Sequence, residues 1–420
     1  MASKSYTVPL VLMGILFFAI GYITWTNSAL IPFLKIACEL NSDTEAFLVT
    51  FAFYMSYFFL AIPSSYILQK TGFKNGMILG LLIIAMGSLI FIPAADSRQF
   101  PVFLGGLFVQ GMGLALLQTA INPYLSILGP IESAAQRISI MGVANKIAGM
   151  LVPVLVGSFM LAGADGIEST LKNSSDPVIR EQALSELANR IHTPYLSLAV
   201  VLALVAVVFY FVHLPEVTPE EEEKEAGNER TSVFSYPQLV LGVVALTCYV
   251  GAEVIAGDGI IQFGRNLGIS LEEAKYFSSY TLGSMLIGYL IGIVAIPKYI
   301  SQERALFFSA ISGLLFSLIA IFSTGYLAVY SIALMGLSNA LMWPAIFPLS
   351  IQGLGKFTKM GSALLIMSIG PGGGIIPLLY AELGGAENPQ QGFWIVFICY
   401  VFIAYFASKG HALRRWKTNS

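Results

Sequence analysis

Two acids and one base stand where an apolar chain least tolerates charge. The acids are Glu253 and Asp258, in the stretch CYVGAEVIAGDGIIQ at 248–262, and the base is Lys146, in GVANKIAGM at 142–150. Each lies in an apolar run of spanning length, where an ionised side chain costs roughly 2.5–3.5 kcal/mol even on the gentlest scales. Such groups persist when they face a wet cavity or one another. They read either as a site that handles an ion or proton, or as a structural ion pair joining Lys146 to an acid. Glycines at 251, 257 and 259 weaken the helix around the acids, which suits a span that opens its backbone toward a ligand.

Amides gather in the same kind of surroundings. Asn27 lies in TWTNSALIP, Gln118 and Asn122 in GLALLQTAINPY, Asn145 beside Lys146, and Asn339 in GLSNALMWPAIFPLS with Trp343 and Phe347. Gln118 and Asn122 at i and i+4 share a helix face, and so do Asn339 and Trp343. An amide in a span bonds a neighbouring helix as readily as a ligand, and a ring in a span packs as readily as it binds. Together, amides and rings suit a sugar, whose hydroxyls both donate and accept while its CH faces lie on aromatics.

The elements that must position these residues follow from composition. Of the 420 residues 56% are hydrophobic and only 11% charged, against roughly 25% charged in soluble domains. The chain is therefore an all-α integral membrane protein. Apolar stretches fall at about 8–36, 46–69, 74–94, 101–128, 138–161 and 194–214. They resume at 237–263, 275–297, 304–323, 326–352, 361–382 and 391–408, each near the roughly 20 residues that a bilayer requires. These twelve spans divide into an N-terminal half (1–214), a charged linker (215–236, containing EEEEKEAGNER) and a C-terminal half (237–420). A polar insert at about 163–193 follows span five, and its ELANRIHT tail reads as a short surface helix. Basic residues in the connections divide about two to one in favour of the face that carries the linker, which places both termini in the cytoplasm.

The halves repeat. An offset of 224 residues carries Leu125-Ser126-Ile127 onto Leu349-Ser350-Ile351, and Gly149 and Pro153 onto Gly373 and Pro377. Two six-span halves in parallel orientation form the arrangement of transporters that rock about a midplane site. Other chemistry finds no support. The histidines (His192, His213, His411) show no metal spacing, and GPGGGIIP at 370–377 lacks the ending of a phosphate loop. The cysteines imply no disulfide framework, and no basic stripe points to nucleic acid. No catalytic set and no cofactor is indicated.

These stretches carry a resemblance. LIPFLKIACELN, SYFFLAIPSSYILQKTGFKNG, GLALLQTAINPYLSILGP, CYVGAEV and WPAIFPLSIQGLG are similar to the fucose permease and glucose/galactose transporter branch of the major facilitator superfamily. The resemblance implies twelve helices, alternating access and ion-coupled uptake of a monosaccharide across the bacterial inner membrane, for which a monomer suffices. It also exposes departures. Proton-coupled fucose permeases have an Asp where Ser28 stands and a Glu where Gln118 stands. The glucose/galactose members resemble this chain in Gln118 and Glu253, and some of them use sodium. Lys146 replaces the family's Ser, Asp258 occupies a usually uncharged position, and Tyr289 stands where an Arg usually follows Gly. With neither fucose-permease acid present, the expectation is a sodium site at Glu253 and Asp258, with the proton as the alternative. The expected sugar-binding set is Asn27, Gln118, Asn122, Asn145, Asn339 and Trp343.

Overall fold

The computed structural model describes residues 7–127, 134–212, 214, 232–296, 298–354 and 357–416. All regular structure among them is helical, because backbone groups in hydrocarbon must be satisfied within their own segment. Twelve helical segments are long and apolar enough to cross a membrane. Spans 1–6 are Pro9–Ala37, Asp43–Leu68, Lys70–Ser97, Phe100–Ile121, Ile140–Met160 and Pro177–Phe211. Spans 7–12 are Pro237–Gly257, Leu271–Ala295, Gln302–Phe322, Gly325–Ile351, Met360–Gly384 and Pro389–Ser408. Most of the linker (residues 215–231) lies outside the described residues.

Several spans are broken where their residues dictate. Span 1 is interrupted at Thr26, between helices Thr7–Trp25 and Asn27–Ala37. Span 5 passes into a π-helical turn over Pro153–Gly157, since Pro153 offers no backbone donor. Span 10 breaks after Asn339, and span 11 at Ser368. The chain turns between spans 2 and 3 at Gly72, whose φ of 75° favours glycine.

The polar insert is more helical than its sequence announces. It forms two helices, Ala164–Asn173 and Pro177–Asn189. The second is not a simple surface helix, for it buries Leu184, Leu187 and Ala188 against the bundle. Asp176 caps it by accepting from the Val178 amide at 2.8 Å.

Two span pairs join spans 1–6 to spans 7–12: span 2 packs on span 11, and span 5 on span 8. The sequence repeat exchanges one pair for the other. Glycines make the approach close. A Cβ on Gly370 would lie 2.6 Å from Phe58 Cβ, and one on Gly373 would lie 2.4 Å from the Tyr54 ring. The glycine run of span 11 is thus a helix-packing surface.

Polar contacts across this junction gather on the face that carries the insert. Arg265 pairs with Asp165 at 2.9 Å and also with Glu168. Asp165 accepts from the Leu271 amide at 2.9 Å, and Glu272 accepts from the Gly163 amide at 2.8 Å. Asp43, paired with Lys35, accepts from Gln262 at 3.0 Å and from Asn266. Thr44 donates to Glu382 at 2.9 Å. The insert face is closed by this latch. Arg265→Ala removes a part-exposed bridge of about 1 kcal/mol, which shifts the open-to-closed ratio about five-fold. Alkylation of a cysteine placed at Ser158, which lies beneath the latch near Tyr276, is expected to accelerate correspondingly in that variant. An unchanged rate would deny the latch its role.

Candidate functional site

Trp25 holds the centre of the molecule. It ends the first helix of span 1 and is almost fully buried. Two glycines make room for it: a Cβ on Gly149 would come within 2.5 Å of the indole, and one on Gly257 within 2.3 Å. Its indole N–H donates to Asn145 Oδ1 at 3.2 Å, and Lys146 Nζ lies 4.3 Å from the centre of its ring. The ring is a floor under the ammonium, and its π face attracts the cation. Lys146 then reaches across to span 7 and pairs with Glu253 Oε1 at 2.8 Å. Both side chains are largely buried, at 7% and 14% exposure, so each leaves the other with an unpaired charge if removed.

Asp258 lies at the end of the helix Pro237–Gly257, completely buried. Neither carboxyl oxygen meets a hydrogen-bond partner. Tyr54 faces it from span 2, with Glu253 and Lys146 nearby. The chain around it bends but does not unwind. Asp258 and Gly259 keep right-handed helical dihedrals, and their amides bond the carbonyls of Val254 and Ile255. The helix is interrupted at these glycines, ending at Gly257 and resuming at Ile260, with only a small change of direction. Gly257 also admits Trp25, and Gly251 admits Ile376, where a Cβ would lie 2.5 Å away.

The amides divide. Asn145 joins the charged cluster, donating also to the Phe17 carbonyl at 3.4 Å. Gln118 is half-buried and donates to the Tyr57 hydroxyl at 2.9 Å. Tyr57 in turn stacks on Tyr54, with centroids 6.4 Å apart. Asn27 is buried with its amide nitrogen unpartnered. Asn339 is sealed inside the second half, accepting from Tyr400 at 2.8 Å. The break in span 10 separates it from Trp343, so the expected common face does not form. Trp343 lies against Tyr249 of span 7 at 6.3 Å and Phe347 at 5.9 Å, and remains half-buried. The side chain of Asn122 lies outside the described residues.

Gln118, Tyr57, Tyr54, Asp258, Glu253, Lys146, Trp25 and Asn145 thus form a string across the junction of spans 2, 4, 5, 1 and 7. Sequence reasoning missed Trp25, Tyr54 and Tyr57. Trp25 stands two residues before Asn27, and the glycines that receive it, at 149 and 257, were its only signal.

A two-halved bundle with a buried charged pair bridging its halves is transporter architecture, and the comparisons with known proteins agree. The profile of the Major Facilitator Superfamily matches residues 13–377. The chain belongs to the Major Facilitator Superfamily. It is 34% identical over 412 residues to the glucose/galactose transporter of Brucella abortus, covering 97% of this chain and 95% of that one. It is 27% identical to the L-fucose-proton symporter of Escherichia coli, covering 96% and 93%. The crystal structure of the superfamily transporter FucP in the outward conformation covers 96% of this chain and 99% of its own, at 27% identity and a TM-score of 0.73. A member of this superfamily is a transporter and not an enzyme.

The bridge makes a quantitative prediction. Lys146→Met leaves Glu253 alone in a largely buried site and is expected to cost about 3–5 kcal/mol of stability. Adding Glu253→Gln should recover most of the loss, because no unpaired charge then remains. Thermal unfolding in detergent of the two single variants and the double variant reads this directly, and additive losses would contradict a direct pairing.

Proposed function

We propose that this protein takes up a neutral hexose of the glucose/galactose type together with a proton, by alternating access. The observation that carries the reading is the Lys146–Glu253 pair, 2.8 Å across the junction between the halves. It lies among amides and rings of the kind a sugar requires. The names of the relatives support the substrate class and, for the fucose symporter, the proton.

The proton replaces the sodium expected from the residues. A sodium ion at Glu253 would compete with an ammonium already seated there, and near Asp258 the carbonyls of Val254, Ile255 and Gly259 accept backbone amides while that of Ala256 accepts from the Thr281 hydroxyl. A proton needs no carbonyl ligands. Neutralising one carboxyl of the Glu253–Asp258 pair weakens the hold on Lys146 and alters the balance between the two access states. Sugar bound between the halves alters the same balance, which couples the two.

Gln118 and Trp343, both half-buried, are the sugar contacts we favour. Asn145 positions Trp25, and Asn27 and Asn339 support the helices from within. The topology supports a bacterial inner-membrane protein with the linker face and both termini in the cytoplasm. One chain supplies the whole site, so a monomer suffices.

Purified protein in liposomes tests the reading. Labelled hexose is expected to accumulate when the outside is made acidic, with or without sodium, and accumulation should vanish with a protonophore. Accumulation that follows sodium at fixed pH would restore the sodium site, and equilibration without accumulation would indicate a passive carrier. Gln118→Ala and Trp343→Ala are each expected to weaken sugar binding by about 1–3 kcal/mol in calorimetry; unchanged affinity would remove the residue from the site.

A further inference from the structure

Asp258 takes no part in the bridge. It is completely buried, and both oxygens lack a partner. An ionised carboxylate so placed, beside the charge of Glu253, is offset only by the Tyr54 hydroxyl and by a Lys146 already paired with Glu253, whereas a neutral carboxyl removes the cost. The groups facing it are Tyr54 from span 2, Lys146 from span 5 and Glu253 from its own span. Of these, the one cation is committed elsewhere.

The next helix, Ile260–Asn266, carries a polar ladder toward the insert side. Gln262 and Asn266, at i and i+4 of that helix, lie one above the other. Gln262 Nε2 donates to Asn266 Oδ1 at 3.0 Å and to Asp43 Oδ1 at 3.0 Å. Asp43, Gln262 and Asn266 line a small cavity with Phe47 and Tyr380 just beneath the latch. In the closed state the ladder is tied across the junction to Asp43. Separation of the halves on this face unties it and opens a polar route from water down to Asp258.

We infer that Asp258 is the group that carries the transported proton, loaded from the insert face along the Gln262–Asn266 ladder, while Glu253 stays with Lys146 as the bridge. The step balances simply: hydronium outside gives its proton to the Asp258 carboxylate and leaves water. After the halves close over it, the carboxyl returns the proton to water on the linker face. Loading neutralises a completely buried charge at the junction, so the closed state forms more readily with the acid protonated than without. This division of labour rests on the proton-coupled reading given above, and its test is chosen to separate the two.

Infrared difference spectra of the wild-type protein in lipid, moved between acidic and alkaline buffer, are expected to show the carbonyl stretch of a neutral carboxylic acid. The band should shift when the protein is made with heavy-isotope aspartate and stay when it is made with heavy-isotope glutamate. A band that follows glutamate, or no band, overturns the assignment without requiring any variant. In liposomes, Asp258→Asn is expected to keep sugar counterflow while losing both acid-driven accumulation and the sugar-evoked uptake of protons seen with a trapped pH dye. Retention of acid-driven accumulation in Asp258→Asn overturns the inference. Failure of the wild-type protein itself to accumulate sugar under an acid gradient would instead defeat proton coupling.

Discussion

A charge inside a bilayer must find its opposite, and in this protein it finds it on the other half of the molecule. Lys146 belongs to span 5 and Glu253 to span 7, and their contact spans the junction about which two six-helix halves would move. Neither residue is satisfied within its own half. The ammonium also needs a surface to lie on, which Trp25 provides, and Trp25 needs space, which Gly149 and Gly257 provide. A single electrostatic requirement therefore dictates small residues on the same two spans as the pair and an aromatic one on a third.

The rest of the junction is built to be close but separable. Spans 2 and 11 meet through Gly370 and Gly373, and spans 5 and 8 meet near Gly149 and Leu282. Such contacts rest on van der Waals packing of smooth surfaces, which can slide or tilt without stranding polar groups. The polar contacts gather where the surface meets water, on the insert face. There each broken hydrogen bond can be replaced by solvent, so the latch among Asp165, Glu168 and Arg265 can open at small cost.

The insert between spans 5 and 6 belongs to this scheme. Its first helix supplies Asp165 and Glu168 to the latch, and the Gly163 amide, freed by a turn with φ of 61°, meets Glu272. The segment is thus a strap from the first half onto the corner between spans 7 and 8. A loop of this length without such contacts would leave its backbone to water and its acids without purpose.

Much of the architecture was legible in the chain because the bilayer enforces it. Apolar length alone counted the twelve spans, and the pairing of Gly149 with Gly373 and of Pro153 with Pro377 announced the repeat. Charge at depth singled out Lys146, Glu253 and Asp258, since intramembrane charge is too costly to be incidental. Which acid meets the lysine was not legible. Glu253 and Asp258 are five residues apart along span 7, so they point in different directions, and only the tertiary arrangement that brings Lys146 of span 5 within reach of Glu253 decides between them. Periodicity also placed Asn339 and Trp343 on one face, which the break after Asn339 undoes. The role of Trp25 arises from two glycines more than a hundred residues away in the chain, and Asp258 is left without a partner by helices that close around it. Local sequence sets what a residue can do and how deep it lies, whereas its partner is set by which helices the fold brings alongside.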